Sequence, residues 1–153
     1  MRRGHLYANA KEAGCRKNAL GHHRDDVTQT TVMAMLYGSQ LQGMMPKLRS
    51  TNFLGMELIR PLYCVRERDI IAWAGYNGLE FLRCACRFTE AAEAEAEEGG
   101  VSVSKRQEVR ELLRALEEKR PGVEDSVFSA IHAADFDSFP GWKTGGEKHT
   151  MNE

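Results

Sequence analysis

Long apolar runs are missing from this chain: its hydrophobic stretches are only a few residues long. That excludes a transmembrane helix, which needs about 20 consecutive apolar residues. The start, Met1-Arg2-Arg3-Gly4-His5, is basic. No apolar stretch follows it, so it does not read as a secretory signal, and the expected location is the cytoplasm. Cysteine is scarce, with four residues at Cys15, Cys64, Cys84 and Cys86. Without a secretory signal, no disulfide framework is expected. Cys15 and Cys64 lie in apolar-looking surroundings and are expected as small core residues. No internal repeat is visible, which sets aside a solenoid.

What is present fits one domain. A length of 153 residues is enough to bury a core. A hydrophobic share of 42% and a charged share of 28% are ordinary for a globular protein. The net charge of −1 hides an asymmetry: residues 1–89 carry +6 and residues 90–153 carry −7. The basic part could meet an anion such as a nucleotide or an RNA backbone. It could equally be solvated surface.

The order of elements is helix, strand, helix, strand, helix, then helices. Residues 2–13 read as a helix stopped by Gly14, and residues 17–21 as a strand. A second helix starts near Asp25 or Asp26, with Asp26 and Gln29 spaced as a capping pair, and ends at Gly38. Residues 39–55 read as loop. Residues 56–59 form a second strand, closed by Arg60-Pro61. A third helix spans 67–77, with Ile70, Ile71 and Ala74 inward. Residues 89–104 are acidic and Ala-rich, without a large apolar side chain, and read as a solvated linker. Ser104 and Gln107 have capping-box spacing before a helix bearing Val109, Leu112, Leu113 and Leu116. Arg120-Pro121-Gly122 ends it. A short helix holds Val127, Phe128 and Ile131. Residues 135–153 read as a tail, with Trp142 as an anchor. Tyr63 and Trp73 are expected in the core. Alternating strands and helices imply an α/β fold with a parallel sheet. Two strands are too few for a complete sheet of that kind.

In an open parallel sheet, ligands bind beyond the carboxyl ends of the strands. His22-His23-Arg24-Asp25-Asp26 follow the first strand, and Arg60-Pro61-Leu62 follow the second. Both clusters should therefore meet at one edge. The free N–H groups of the second helix favour an anion there, and Arg24 and Arg60 can bond to phosphate. Asp25 or Asp26 could hold magnesium or cap the helix. Alternatively, Asp26 is only a cap and Arg24 only pairs with a carboxylate. Lys47 and Arg49, in the loop before the second strand, are candidate contacts to RNA phosphates or ordinary exposed residues.

Several motifs occur in a specific order: Arg2-Arg3-Gly4; Leu20-Gly21-His22-His23-Arg24-Asp25-Asp26 with Gln29-Thr30; Met45-Pro46-Lys47-Leu48; Ile59-Arg60-Pro61-Leu62 with Glu67 and Asp69-Ile70; and later Phe128-Ser129-Ala130. Together they resemble the tRNA 2-thiocytidine synthetase family of the PP-loop (N-type ATP pyrophosphatase) superfamily. The resemblance implies a partial Rossmann-like sheet over residues 1–88, the acidic linker at 89–104, C-terminal helices at 105–134 and a tail at 135–153. It implies ATP and Mg2+, with transfer of AMP to the C2 oxygen of a cytidine in the tRNA anticodon loop. Sulfur then displaces AMP and gives 2-thiocytidine. It also implies a [4Fe-4S] cluster held by three cysteines, a sulfur donor of the cysteine desulfurase type, and tRNA as partner. Asp25 and Asp26 would act at the reacting centre, with His22, His23, Arg24 and Arg60 around the nucleotide.

The sequence departs from the family in two places. The phosphate-gripping Ser-Gly-Gly-x-Asp-Ser is absent from the 153 residues, and so is the first Cys-x-x-Cys. Gly99-Gly100 and Gly145-Gly146 lack the residues and the strand-then-helix setting to replace the loop. Cys84-Ala85-Cys86 stands where the family has Cys-x-x-Cys. Cys84 best matches the cluster ligand, with Cys86 as a second candidate thiolate; the pair could also be a reduced dithiol. The expectation is thus the C-terminal portion of a longer enzyme, little active alone and completed by an upstream half or within a homodimer. The rival expectations are a non-catalytic nucleotide- or RNA-binding module, or a PP-loop enzyme for another substrate.

Overall fold

The computed structural model describes residues 2–81 and 104–150. Cys84, Cys86 and nearly all of the acidic segment lie outside the described residues. Helix α1 (Arg2–Glu12) ends where Gly14 takes φ of +70°, and the Cys15 N–H closes onto the Ala10 carbonyl at 2.8 Å. This is the left-handed glycine stop read from the sequence. Strand β1 (Lys17–Ala19) follows, then α2 (Arg24–Gly38).

The sheet corrects the expectation of purely parallel strands. Its order is β1-β3-β2, with β3 (Glu57–Ile59) in the centre. β1 runs parallel to β3, pairing Asn18 with Leu58. β2 (Lys47–Arg49) lies in the stretch read as loop and runs antiparallel to β3, pairing Leu48 with Leu58. Lys47 and Arg49 therefore stand on a strand. Both flank Glu57, with Lys47 at 2.9 Å and Arg49 at 4.0 Å. The bond from Lys47 holds the Glu57 carboxyl below its ordinary range.

Helix α3 (Glu67–Tyr76) packs Ala74 inward, but Ile71 and Trp73 are exposed. Trp73 is thus a surface residue. Helix α4 (Lys105–Lys119) starts at Ser104, whose hydroxyl accepts from the Gln107 N–H at 3.2 Å, as the spacing predicts. Helix α5 (Val123–His132) follows Gly122. The core holds Val27, Met56, Leu58, Tyr63, Ala74, Val109 and Leu113, while Leu112 and Leu116 sit at the edge of their stripe. Helix α2 packs against both α4 and α5. Cys15 and Cys64 are exposed rather than core residues.

The described part of the segment read as a tail, up to Thr150, also forms regular elements. A 3₁₀ turn at Phe136–Ser138 precedes a hairpin of β4 (Gly141–Thr144) and β5 (Glu147–Thr150). Gly145 and Gly146 take φ of +59° and +91°, the two positive values that a tight two-residue hairpin loop demands. No described helix is long and apolar enough to cross a membrane.

Candidate functional site

The two strand exits meet, as the parallel pairing of β1 and β3 requires. The Leu20 N–H donates to the Ile59 carbonyl at 2.9 Å, and the Arg24 N–H to the Val65 carbonyl at 2.9 Å. The Asp25 carboxylate accepts from the Glu67 N–H at 2.8 Å, so it caps α3 across the corner. The cap of α2 differs from the expected one. His23 is the extended N-cap residue, and the Asp26 carboxylate reaches back to its N–H at 3.1 Å. Asp26 is thus the returning arm of a capping box and not the cap itself.

Above this corner opens a cavity of about 420 Å³. His22, His23, Asp26, Gln29, Arg106 and Arg110 contribute to its wall, with Glu67 beside them. The His23 ring lies 3.4 Å from Asp25 and 3.5 Å from Asp26. Arg106 pairs with Asp26 and donates from Nε to Gln29 at 3.3 Å; Arg110 pairs with Glu67. The site therefore combines two imidazoles, a helix N-terminus and two guanidiniums with the Asp26 and Glu67 carboxylates that pair with them. An anion carrying hydrogen-bond acceptors can bind there by displacing those carboxylates from the guanidiniums. Arg106 and Arg110 were not found by sequence reasoning, because α4 is about 80 residues beyond α2. Only helical spacing, four residues apart on the polar side of α4, could have marked them.

The remaining candidates point elsewhere. Arg24 pairs with Asp125 of α5, and its guanidinium sits 4.5 Å above the Phe128 ring. Arg66 joins the same carboxylate. Arg60 is buried, and its guanidinium donates to the Met45 carbonyl. That fixes the 45–46 segment beside the sheet, where the Arg60 N–H also donates to the Pro46 carbonyl at 2.9 Å. Beside it, burial pushes the Tyr63 hydroxyl above its usual range. Tyr63 donates to His132 Nε2 at 3.1 Å, while His132 Nδ1 faces the Phe128 carbonyl at 2.7 Å. These bonds select the Nδ1–H tautomer. No three described His, Cys, Asp or Glu side chains are grouped to hold a metal ion.

Comparison with known proteins decides the family. The profile of the PP-loop domain matches residues 1–86. This chain belongs to the PP-loop family. It is 38% identical over 146 residues to a tRNA-cytidine(32) 2-sulfurtransferase of Aliivibrio fischeri, covering 91% of this chain and 43% of that protein. A tRNA-cytidine(32) 2-sulfurtransferase of Delftia acidovorans is 40% identical over 132 residues, covering 86% and 38%. The chain thus spans less than half the length of these curated relatives. In structure it is similar to the U34-tRNA thiolase NcsA from Methanococcus maripaludis, solved with its [4Fe-4S] cluster. The TM-score is 0.62 and the identity 23%, over 86% of this chain and 40% of that one. That likeness supports the α/β, Rossmann-like fold.

Proposed function

We propose that this chain forms one wall of the nucleotide site of an ATP-dependent enzyme that thiolates cytidine in tRNA. The observation that carries the reading is the PP-loop match over residues 1–86, which contains the His22–Asp26 corner, together with the activity of the relatives. The chemistry suits the corner. A cytidine C2 oxygen is a poor leaving group. Its attack on the α-phosphorus of ATP releases pyrophosphate and makes that oxygen part of AMP. Sulfide then attacks C2, and AMP departs with the oxygen.

The role of this chain's residues is to hold the anion. The N-terminus of α2 offers N–H groups to phosphate, and His22 and His23 stand beside it as donors or proton carriers. Arg106 and Arg110 can exchange their carboxylate partners for phosphate oxygens. Asp26, once released by Arg106, is free for Mg2+. Asp25 keeps the corner joined to α3. Arg24 and Arg60 act from behind, by fixing α5 and the 45–46 segment. Arg49 is exposed for an RNA phosphate, with Lys47 next to it.

Cys84 would be a ligand of an oxygen-sensitive [4Fe-4S] cluster, with Cys86 as the second candidate. Two thiolates do not complete such a site. The other ligands and the Ser-Gly-Gly-x-Asp-Ser loop come from a complementary upstream segment, or from a homodimer in the case of the ligands. A cysteine desulfurase-type donor supplies sulfur. The exposed Ile71, Trp73 and Tyr76 of α3 agree with a chain that is only part of its folded unit.

The test is anaerobic mixing of this chain with an upstream PP-loop segment, ATP, Mg2+, a sulfur source and tRNA. Mass spectrometry of the digested tRNA reads 2-thiocytidine. The expected result is product from the mixture and essentially none from the 153 residues alone. Vigorous turnover by the chain alone would overturn the partial-site reading. Nucleotide or RNA binding without product from any mixture would favour the non-catalytic module.

A further inference from the structure

A second cavity, of about 650 Å³, lies away from the His22–Asp26 corner. It is bounded by the loop Ser39–Gln42 and by the segment Phe136–Thr150. Its aromatic lining is built from Phe136, Phe139, Trp142 and His149. Trp142 and His149 are cross-strand partners whose rings stack at 5.3 Å and 18°. Phe136 approaches Trp142 at 6.2 Å and Phe139 at 6.4 Å. Phe136 remains half exposed, so the aromatic surface is open to a ligand.

The polar lining has one sign. Lys143, Lys148 and His149 border the cavity, and no Asp or Glu does. Lys143 and Lys148 are direct cross-strand partners, a like-charge pairing that costs stability unless an anion relieves it. Neither lysine makes an ion pair among the described residues. The enclosed Nε2 of His149 has no hydrogen-bond partner among them either. Gln40 and Gln42 add amide groups of both polarities on the opposite side. Open aromatic faces, amides that read base edges, and unpaired cations at the rim are the set that holds unstacked nucleotides. The volume falls within the range of ordinary ligand sites.

We propose that the β4–β5 hairpin and the Ser39–Gln42 loop form a binding site for single-stranded RNA. A base stacks against Phe136 and Trp142, and the RNA strand continues round the hairpin, whose opposite face presents Lys143 and Lys148 to its flanking phosphates. The site rests on the reading that the chain acts on RNA, and adds a contact surface separate from the nucleotide corner.

The test uses the full chain and a fluorescein-labelled single-stranded 12-mer RNA, with affinity read by anisotropy. Trp142→Ala is expected to weaken binding about tenfold. Circular dichroism verifies that this variant folds. Lys143→Gln with Lys148→Gln, both at exposed positions, is expected to lower the slope of log affinity against log salt by about 1.4. Unchanged affinity and slope in both variants, or no binding of the RNA by the parent chain, would overturn the site. So would equal displacement of the RNA by poly-glutamate, since it would reduce the site to a general ion contact. This assay needs neither ATP nor thiolation, so the hairpin site and the proposed reaction fail separately.

Discussion

Asp26 does two things in this structure: it closes the capping box on His23 and pairs with Arg106. Replacing it with alanine leaves the His23 N–H and the guanidinium without that acceptor. Asp26→Ala is therefore expected to destabilise the fold by about 1–2 kcal/mol, measured by urea unfolding. Ser39 is the opposite case. It ends α2 with φ of +50°, a left-handed conformation that disfavours any residue with a Cβ. Ser39→Gly is expected to stabilise by about 0.5–1 kcal/mol in the same assay; a loss of stability would show that the Ser39 side chain holds the loop. The sequence pointed to Gly38 as the stop, and the helix ends there, with Ser39 in the left-handed cap position. Gly14 was legible because its setting is purely local. The partner of Asp25 was not, because it is the Glu67 backbone, 42 positions away.

Among the elements, the long amphipathic helices were the easiest to read, and α4 begins at Ser104 as its spacing requires. β2 was missed because Lys47-Leu48-Arg49 holds one apolar residue and becomes a strand only by pairing with β3. The β4–β5 hairpin carried a readable signal in Gly145-Gly146 between two short alternating runs. The junction of α4 and α5 makes a pH prediction. The Glu117 carboxylate accepts from the Gly122 N–H at 2.9 Å and the Glu124 N–H at 3.0 Å. These bonds lower its pKa from the ordinary 4.5. A lowered carboxyl pKa contributes stability that is present above the ordinary value and lost as pH falls through the folded one. Glu117→Gln should therefore lower Tm at pH 7. The gap from the parent should narrow below pH 4.5. A gap that stays constant from pH 7 to pH 3 would exclude this role.

At the scale of the molecule, α2 carries the site, because its N-terminus faces the cavity while its buried residues dock α4 and α5. Val27 is completely buried on α2, as is Val109 on α4. Val27→Ala should cost about 2 kcal/mol in urea unfolding, since it removes methyl groups from a closed core. The candidate site was half legible. The sequence placed His22, His23 and Asp26 at one edge because the strand-exit rule for parallel pairs is general. It could not place Arg106 and Arg110, which arrive through helix packing.

The His22–Asp26 corner, as a wall of the nucleotide site, is open to a direct test. The direct measurement is hydrogen exchange of the chain assembled with its complementary PP-loop segment, with and without ATP and Mg2+. Slowed exchange is expected at the amides of residues 21–27, with the β4–β5 hairpin unchanged. ATP-dependent protection elsewhere that leaves residues 21–27 unaffected would contradict it.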